Sequence, residues 1–348
     1  DIPKSRTLGD LLDELAIRYG NREAVVWDGA RLTYSQLKKE ADIFARSLLS
    51  IGIKNGDHVA LISSNRPEWL IAMFAIAKIG AVTVAISTFS TKRELMWTLK
   101  HSQSRCVISI SAIKNQNFIR LLKQLCPEYV SAEPGNLASE SLPNLKNIIA
   151  IEENSNGAII GWHDLRKISV QTNITTLQNV QAKVEQEEVC FILYTSGSTA
   201  DPKGVMLAHG NVITNGFYIG ERQALSELDR LWFAVPLFWS FGSANALPAV
   251  ITHGGCLILQ ETFDPNEALE LMATEKCTVF YGMVNMARAL REASSYSLEK
   301  VRYMRTGLTI GLPEDIKFTM ETVNTRELCN VYGSTETYGN AAVCHSTD

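Results

Sequence analysis

The sequence predicts an α/β protein in which largely parallel sheets are covered by helices, and three observations carry that prediction. Strand-sized apolar runs alternate with segments of helical periodicity along most of the chain, the pattern of crossover-linked parallel strands. With 348 residues, 46% of them hydrophobic, the chain can bury a core large enough for two packing units. A polar stretch rich in Ser, Asn, Gln, Glu and Pro, residues 131–187, separates two runs of alternation. It is the expected connector between a first unit, 1–185, and a second, 186–348.

Taken in order, the leucines at 8, 11, 12 and 15 have helical spacing, with Thr7 as N-cap and Gly20 as stop. Asp28-Gly29 between two short apolar runs predicts a β-hairpin, and Thr33 with Gln36 a capping box for a helix through Leu49. His58 to Ile62 is strand-like, Pro67 opens a helix, Gly80 closes it, and Ala81 to Ile86 supplies the next strand. After the polar stretch, Val189 to Tyr194 resumes the alternation, and a helix follows His209-Gly-Asn211. Leu231–Val235, Cys256–Gln260, Thr278–Tyr281, Val301–Met304 and Glu327–Val331 are the remaining strand-sized runs. Asp264-Pro-Asn-Glu267 caps one of the helices between them.

Composition excludes several classes. A formal charge of -4 argues against a nucleic-acid partner, so any affinity for phosphate must be local. The seven cysteines contain no CxxC pair and mostly sit in apolar runs, as expected of reduced core residues in a cytoplasmic protein. The longest apolar stretch, Trp69 to Ile86, is interrupted by Lys78 and Gly80 and falls short of a membrane span. A signal peptide is not expected from the residues before it.

The segment Tyr194-Thr-Ser-Gly-Ser-Thr-Ala-Asp-Pro-Lys-Gly204 joins two strand-like runs. Its glycines can turn backbone N–H groups inward, its hydroxyls add donors and Lys203 adds a positive charge, which together suit a polyphosphate. It is not the common GxxxxGK[ST] loop, because Lys203 is followed by Gly204 and an apolar strand rather than by a helix-initiating hydroxyl. A phosphate-gripping β-hairpin is the reading that remains.

This run resembles the signature of the adenylate-forming (AMP-binding) superfamily of acyl-CoA and aryl-CoA synthetases, peptide-synthetase adenylation domains and firefly luciferase. Asn330-Val-Tyr-Gly-Ser-Thr-Glu336 resembles the same superfamily's Tyr-Gly-x-Thr-Glu motif, in the expected order. The resemblance implies two stacked, largely parallel-sheet subdomains of one large N-terminal domain, here without the family's barrel and small C-terminal domain. It implies ATP-dependent activation of a fatty or aryl carboxylic acid as an acyl-adenylate, with release of pyrophosphate. Thioester formation with CoA would follow in the full-length enzyme.

Carried over residue by residue, the resemblance assigns Ser196, Gly197, Ser198, Thr199 and Lys203 to the β- and γ-phosphates, with Thr195 in the same nucleotide set. Thr335 would bind the α-phosphate and Glu336 Mg2+; with Lys203 these are the catalytic candidates. Tyr332 would stack on adenine, Asn330 would bind its amino group, and Gly307 and Gly333 would line the nucleotide site. Val235-Pro-Leu-Phe-Trp-Ser-Phe-Gly242 resembles the family's Pro-Leu-Phe-His-x-x-Gly stretch and gives Trp239, Phe241 and Gly242 to the acid pocket, where Met283 and Thr309 would form further walls.

There are departures. Ala200 replaces a frequent glycine, and only Gly307 is retained from a Gly-Gly-Ala-like strip. Val235 stands where amino-acid-activating relatives carry an acidic residue, which favours an uncharged acyl group. The chain stops twelve residues after Glu336, before the ribose-binding Thr-Gly-Asp and the late lysine of the family, so a portion of a longer enzyme is expected. Alternative readings are an adenylation domain that loads an acyl carrier protein, a luciferase-like oxygenase, and a catalytically incomplete nucleotide-binding fragment.

Overall fold

A computed structural model describes residues 2–195 and 202–345. Two large sheets carry the architecture. One has seven strands in the order Lys203–Ala208, Val189–Thr195, Val82–Ile86, His58–Ile62, Cys106–Ser109, Asn147–Ala150, Ile159–Gly161. All its neighbours are parallel except the first pair. The other has eight, in the order Ala342–Val343, Glu327–Tyr332, Thr306–Thr309, Val279–Tyr281, Arg230–Phe233, Cys256–Leu259, Glu23–Trp27, Ala30–Thr33, parallel except at its two edges. Helices flank both sheets, and no closed barrel is formed among the described residues.

Each sheet draws strands from both sides of position 185. The first arm of the N-terminal hairpin, whose turn has Asp28 and Gly29 at positive φ, pairs in parallel with Leu257 and Ile258 of the second sheet. The hairpin arms Val189–Thr195 and Lys203–Ala208 extend the first sheet instead. The polar stretch 131–187 supplies two fully buried strands of that sheet and two helices that each bury two residues only, so its low hydrophobicity belongs to the helices and the connecting loops.

Local chemistry places the helices. Thr7 caps Leu8–Tyr19 by accepting from the Asp10 N–H, both arms of the Thr33/Gln36 capping box are made, and Asp264 caps Pro265–Thr274. The helix Pro67–Lys78 is buried from Trp69 onward, which explains its nearly continuous apolar sequence. At its end the Lys78 ammonium is fully buried, 2.6 Å from Asp13, 3.0 Å from Asp42 and 3.1 Å from the Gln181 amide oxygen. Burial opposes ionisation of Asp13, but Lys78 and Gln181 outweigh it and hold its carboxyl below the usual range.

One expected strand is displaced. Val301–Met304 forms turns whose apolar side chains plug the core, and the strand is Thr306–Thr309. Apolar character misleads here, because the true strand contains Gly307. A Cβ at that position would lie 2.2 Å from the Phe280 carbonyl oxygen, so close strand approach requires glycine and removes the hydrophobic signal.

The sheets meet at the carboxyl ends of their strands. Asn65, just beyond His58–Ile62 of the first sheet, is 2% exposed. Its amide donates to the carbonyls of Phe233 (3.3 Å) and Val235 (2.9 Å) and accepts from the Leu237 N–H (2.9 Å), at the exit of a central strand of the second sheet. Next to it the Ser64 hydroxyl donates to Glu261 at 2.6 Å. Asn65→Ala would strand two carbonyls and an N–H in a dry seam, and is expected to cost about 2–4 kcal/mol in urea unfolding. Stability within 0.5 kcal/mol of the parent would refute that role for the side chain.

A second prediction concerns His209, which is fully buried at the start of helix His209–Arg222. Its Nδ1 accepts from the Leu8 N–H at 3.2 Å and its Nε2 has no partner. Desolvation pushes its pKa down from 6.5 to about 4, against a small opposing pull from Asp10. The folded state therefore binds fewer protons than the unfolded chain between those values, and stability is lost as pH falls from about 6.5 toward 4, by roughly 3 kcal/mol in all. Denaturation of His209→Asn over this window, compared with the parent, should show a flatter profile; parallel profiles would contradict the assignment.

Candidate active site

Loops from the carboxyl ends of both sheets line two adjoining cavities, the position at which open parallel sheets bind ligands. The larger is about 610 Å³. Its apolar walls include Phe89, Phe238, Trp239, Phe263, Met283 and Met286, with Ser64, Asn65, Glu261 and the turn Lys114–Gln116 as polar lining. The smaller, about 390 Å³, is bounded by Ser87, Glu94, Tyr194, Thr195, Pro202, Ser240 and Thr335. Phe89, Phe238 and Trp239 belong to both and form the partition. Phe238 meets Phe89 edge-on at 5.7 Å and Trp239 edge-on at 6.0 Å, the arrangement favoured by ring quadrupoles. Trp239 remains 45% exposed, as a residue facing two cavities must.

The hairpin reading holds for the arms: Thr195 pairs with Lys203 and Tyr194 with Gly204. Ser196, Gly197, Ser198, Thr199 and Ala200 lie outside the described residues. Tyr194 accepts or donates at 2.8 Å to His101 Nδ1, and His101 stacks on Trp97 at 4.5 Å, which braces the arm against helix Lys92–His101. Lys203 is exposed at the foot of the second arm.

The short turn Thr335–Thr337 packs against the strand Lys203–Ala208. Glu336 is held below the ordinary carboxyl value by its own backbone N–H, by the Ser334 hydroxyl and by the nearby Lys203 charge. The lysine assigned by one motif thus lies near the glutamate assigned by the other, 133 positions away, and its charge favours the ionised carboxylate. Thr335 Oγ1 lies 3.0 Å from Ser240 Oγ, which ties this motif to the aromatic loop.

Asn330 and Tyr332 lie on the strand Glu327–Tyr332, beside the strand that carries Gly307 and Thr309. The Asn330 amide nitrogen donates to the Gly311 carbonyl at 3.2 Å, whereas its Oδ1 is buried with no partner. Tyr332 is 79% exposed, with its ring open to stacking. A Cβ on Gly333 would come within 2.2 Å of the Asn340 Cα, so the chain doubles back tightly there.

Among the acid-pocket candidates, Trp239 and Met283 line the larger cavity. Phe241, Gly242 and Thr309 line neither. Phe241 packs into the core at 5.4 Å from Tyr281, Gly242 permits close approach to the Pro236 carbonyl, and the Thr309 hydroxyl donates to the Gly282 carbonyl at 2.7 Å. The sequence reading passed over Phe89, Asn65, Glu261 and Met286. Their one available signal was position, each falling at or just past the end of a strand or the start of the next helix. Groups of three or more His, Cys, Asp or Glu able to hold a metal are absent among the described residues. No helix among them is long and apolar enough to cross a membrane.

Comparison with known proteins accords with this geometry. YngI of Bacillus subtilis (strain 168), an acyl-CoA synthetase by name, is 35% identical over 335 residues, covering 95% of this chain and 61% of that protein. Acyl-CoA ligase sidI of Aspergillus fumigatus is 33% identical over 336 residues, covering 95% and 56% respectively. The chain thus spans about three fifths of the length of the curated relatives it matches. Among solved structures, the anthranilate CoA ligase AuaEII in complex with anthranoyl-AMP superposes with a TM-score of 0.84 at 21% identity, over 100% of this chain and 64% of that one, a likeness of fold. The family profile of AMP-binding enzymes matches residues 12–348, and the chain belongs to that family.

Proposed function

We propose that this chain is the nucleotide- and acid-binding portion of an ATP-dependent acid–thiol ligase that activates a fatty or aryl carboxylic acid as its acyl-adenylate. The observation that carries the reading is the pair of cavities sharing the Phe89–Phe238–Trp239 wall, one of mixed lining with several hydroxyls and flanked by the Lys203 hairpin, the other mainly apolar. A carboxylate is a poor acyl donor because its charge repels nucleophiles and oxide leaves badly. Transfer to the α-phosphate of ATP corrects both faults, and it needs the acid and the nucleotide held at one junction.

On this reading the apolar cavity takes the acyl group and directs its carboxylate past Trp239. Met283 and Met286 suit it to flexible or flat apolar acids, and a tail has room to extend toward Lys114–Gln116. The smaller cavity takes the phosphates. Lys203 offsets charge on the β- and γ-phosphates, Thr335 donates to the α-phosphate, and Thr195 with Ser196, Gly197, Ser198 and Thr199 would complete the grip. The partnerless Asn330 Oδ1 is an acceptor of the kind that an adenine amino group requires, and Tyr332 offers a stacking face.

Mg2+ fits the donor set. A hard cation that keeps its waters and phosphate oxygens needs one ionised carboxylate, and Glu336 stays ionised to lower pH than an ordinary glutamate. When bound, it would neutralise phosphate charge. Capture of the adenylate by CoA, or by an acyl carrier protein, would need parts of the longer relatives that this chain does not span.

Two measurements test the reading by calorimetry, with Mg2+–ATP and a non-hydrolysable acyl-adenylate analogue as probes. Lys203→Ala is expected to weaken Mg2+–ATP at least tenfold and the adenylate analogue, which lacks the β- and γ-phosphates, far less; equal losses would make the hairpin merely structural. Glu336→Gln is expected to remove the Mg2+ dependence of ATP binding, and an unchanged dependence would end the metal assignment.

A further inference from the structure

We infer that Asn245 and Tyr281 are positioning residues that hold the Thr335–Glu336 turn in place through a buried relay of hydrogen bonds, an inference that rests on the nucleotide reading of that turn. Directly after the turn, Tyr338 and Gly339 adopt positive φ of 59° and 88° and reverse the chain. A left-handed tyrosine is strained and persists only where its surroundings over-determine it.

Here they do so from several sides. Asn215 Nδ2 donates to the Tyr338 carbonyl and to Asn340 Oδ1, both at 3.1 Å, and Asn211 Nδ2 donates to the Tyr338 hydroxyl at 2.9 Å. Asn245 Nδ2 donates to the same Asn340 Oδ1 at 3.1 Å. Asn245 is completely buried, and its Oδ1 accepts from the Tyr281 hydroxyl at 3.1 Å. That hydroxyl accepts in turn from Gln223 Nε2 at 2.8 Å, and Tyr281 is completely buried as well. The relay runs from the end of helix His209–Arg222, through the last residue of strand Val279–Tyr281, to the loop that carries Glu336.

Two further features point to a role in placing the turn rather than in filling the core alone. Asn245 lies in the π-helical turn Phe241–Ala246, an irregularity concentrated at functional sites, and that turn begins directly after Ser240, whose hydroxyl meets Thr335. A Cβ on Gly339 would come 3.1 Å from the Asn245 Cβ and 3.2 Å from the Ser240 carbonyl, so both flanks of the Glu336 turn rest on the same short segment. Neither Asn245 nor Tyr281 lines either cavity, so neither can act by touching a ligand there.

The test uses the whole chain. Tyr281→Phe deletes one hydroxyl while keeping the ring, and Asn245→Ala breaks the relay one link closer to the turn. Hydrogen exchange of the ligand-free protein should be about tenfold faster in a peptide spanning 334–341 in both variants, with His58–Ile62 unchanged. Calorimetry should give a Kd for Mg2+–ATP raised five- to tenfold, measured well below each variant's melting temperature. A lower melting temperature with parental exchange at 334–341 and parental Kd would reduce the relay to core packing and overturn the inference. Should Asn245→Ala fail to fold, Tyr281→Phe alone decides. Should the parent itself not bind Mg2+–ATP, the functional reading fails, and the exchange comparison still decides whether the relay holds the turn.

Discussion

The side chain of Asn65 stitches two separately built sheets together at their carboxyl ends. A parallel sheet ends in a row of loops with unpaired backbone groups, and two such rows facing each other make either a wet gap or a shaped site. One amide that satisfies the Phe233 and Val235 carbonyls and the Leu237 N–H turns this seam into a site of defined width. Everything beyond it, from Pro236 to Ser240, leaves that clamp with its direction set. The aromatic partition therefore stands where it does because a residue of the first sheet holds the backbone of the second.

The charged groups of the molecule divide in a useful way. The buried Lys78 and its partly buried partners Asp13 and Asp42 sit where helices Leu8–Tyr19, Tyr34–Ser50 and Pro67–Lys78 converge. Loss of one partner there would leave an uncompensated ion in the core, so the group is useful for register and poor for chemistry. Lys203 and Glu336 are exposed, close enough to influence each other, and otherwise uncommitted to the core. On the function proposed above, the charges assigned to a polyphosphate and its counter-ion are the ones left accessible.

The cavities carry the same division into their linings. The partition rings touch edge-on and leave apolar surface toward one chamber and the Ser240–Thr335 hydroxyl pair toward the other. On the function proposed above, an acid whose tail prefers the first and whose carboxylate prefers the second would be oriented by solvation alone, with no specific contact to the tail needed, which suits a pocket walled by methionines.

The sequence by itself determined the α/β class, the capped helices, the hairpin turn at Asp28-Gly29 and the two motifs that carry Lys203, Thr335 and Glu336. These rest on local chemistry: periodicity, caps, turn residues and short runs whose neighbours in sequence are their neighbours in space. Only the tertiary structure decided which strands share a sheet, because parallel pairing is between residues far apart and leaves no local trace. It decided that Thr306–Thr309 rather than Val301–Met304 is the strand, since the demand for glycine comes from a carbonyl on Phe280. It also decided that Trp239 faces two cavities while Phe241, two residues on, faces the core, and that Asn65, Phe89 and Met286 belong to the site. A side chain's role at a seam depends on what the opposite sheet presents, and that is written in another part of the chain.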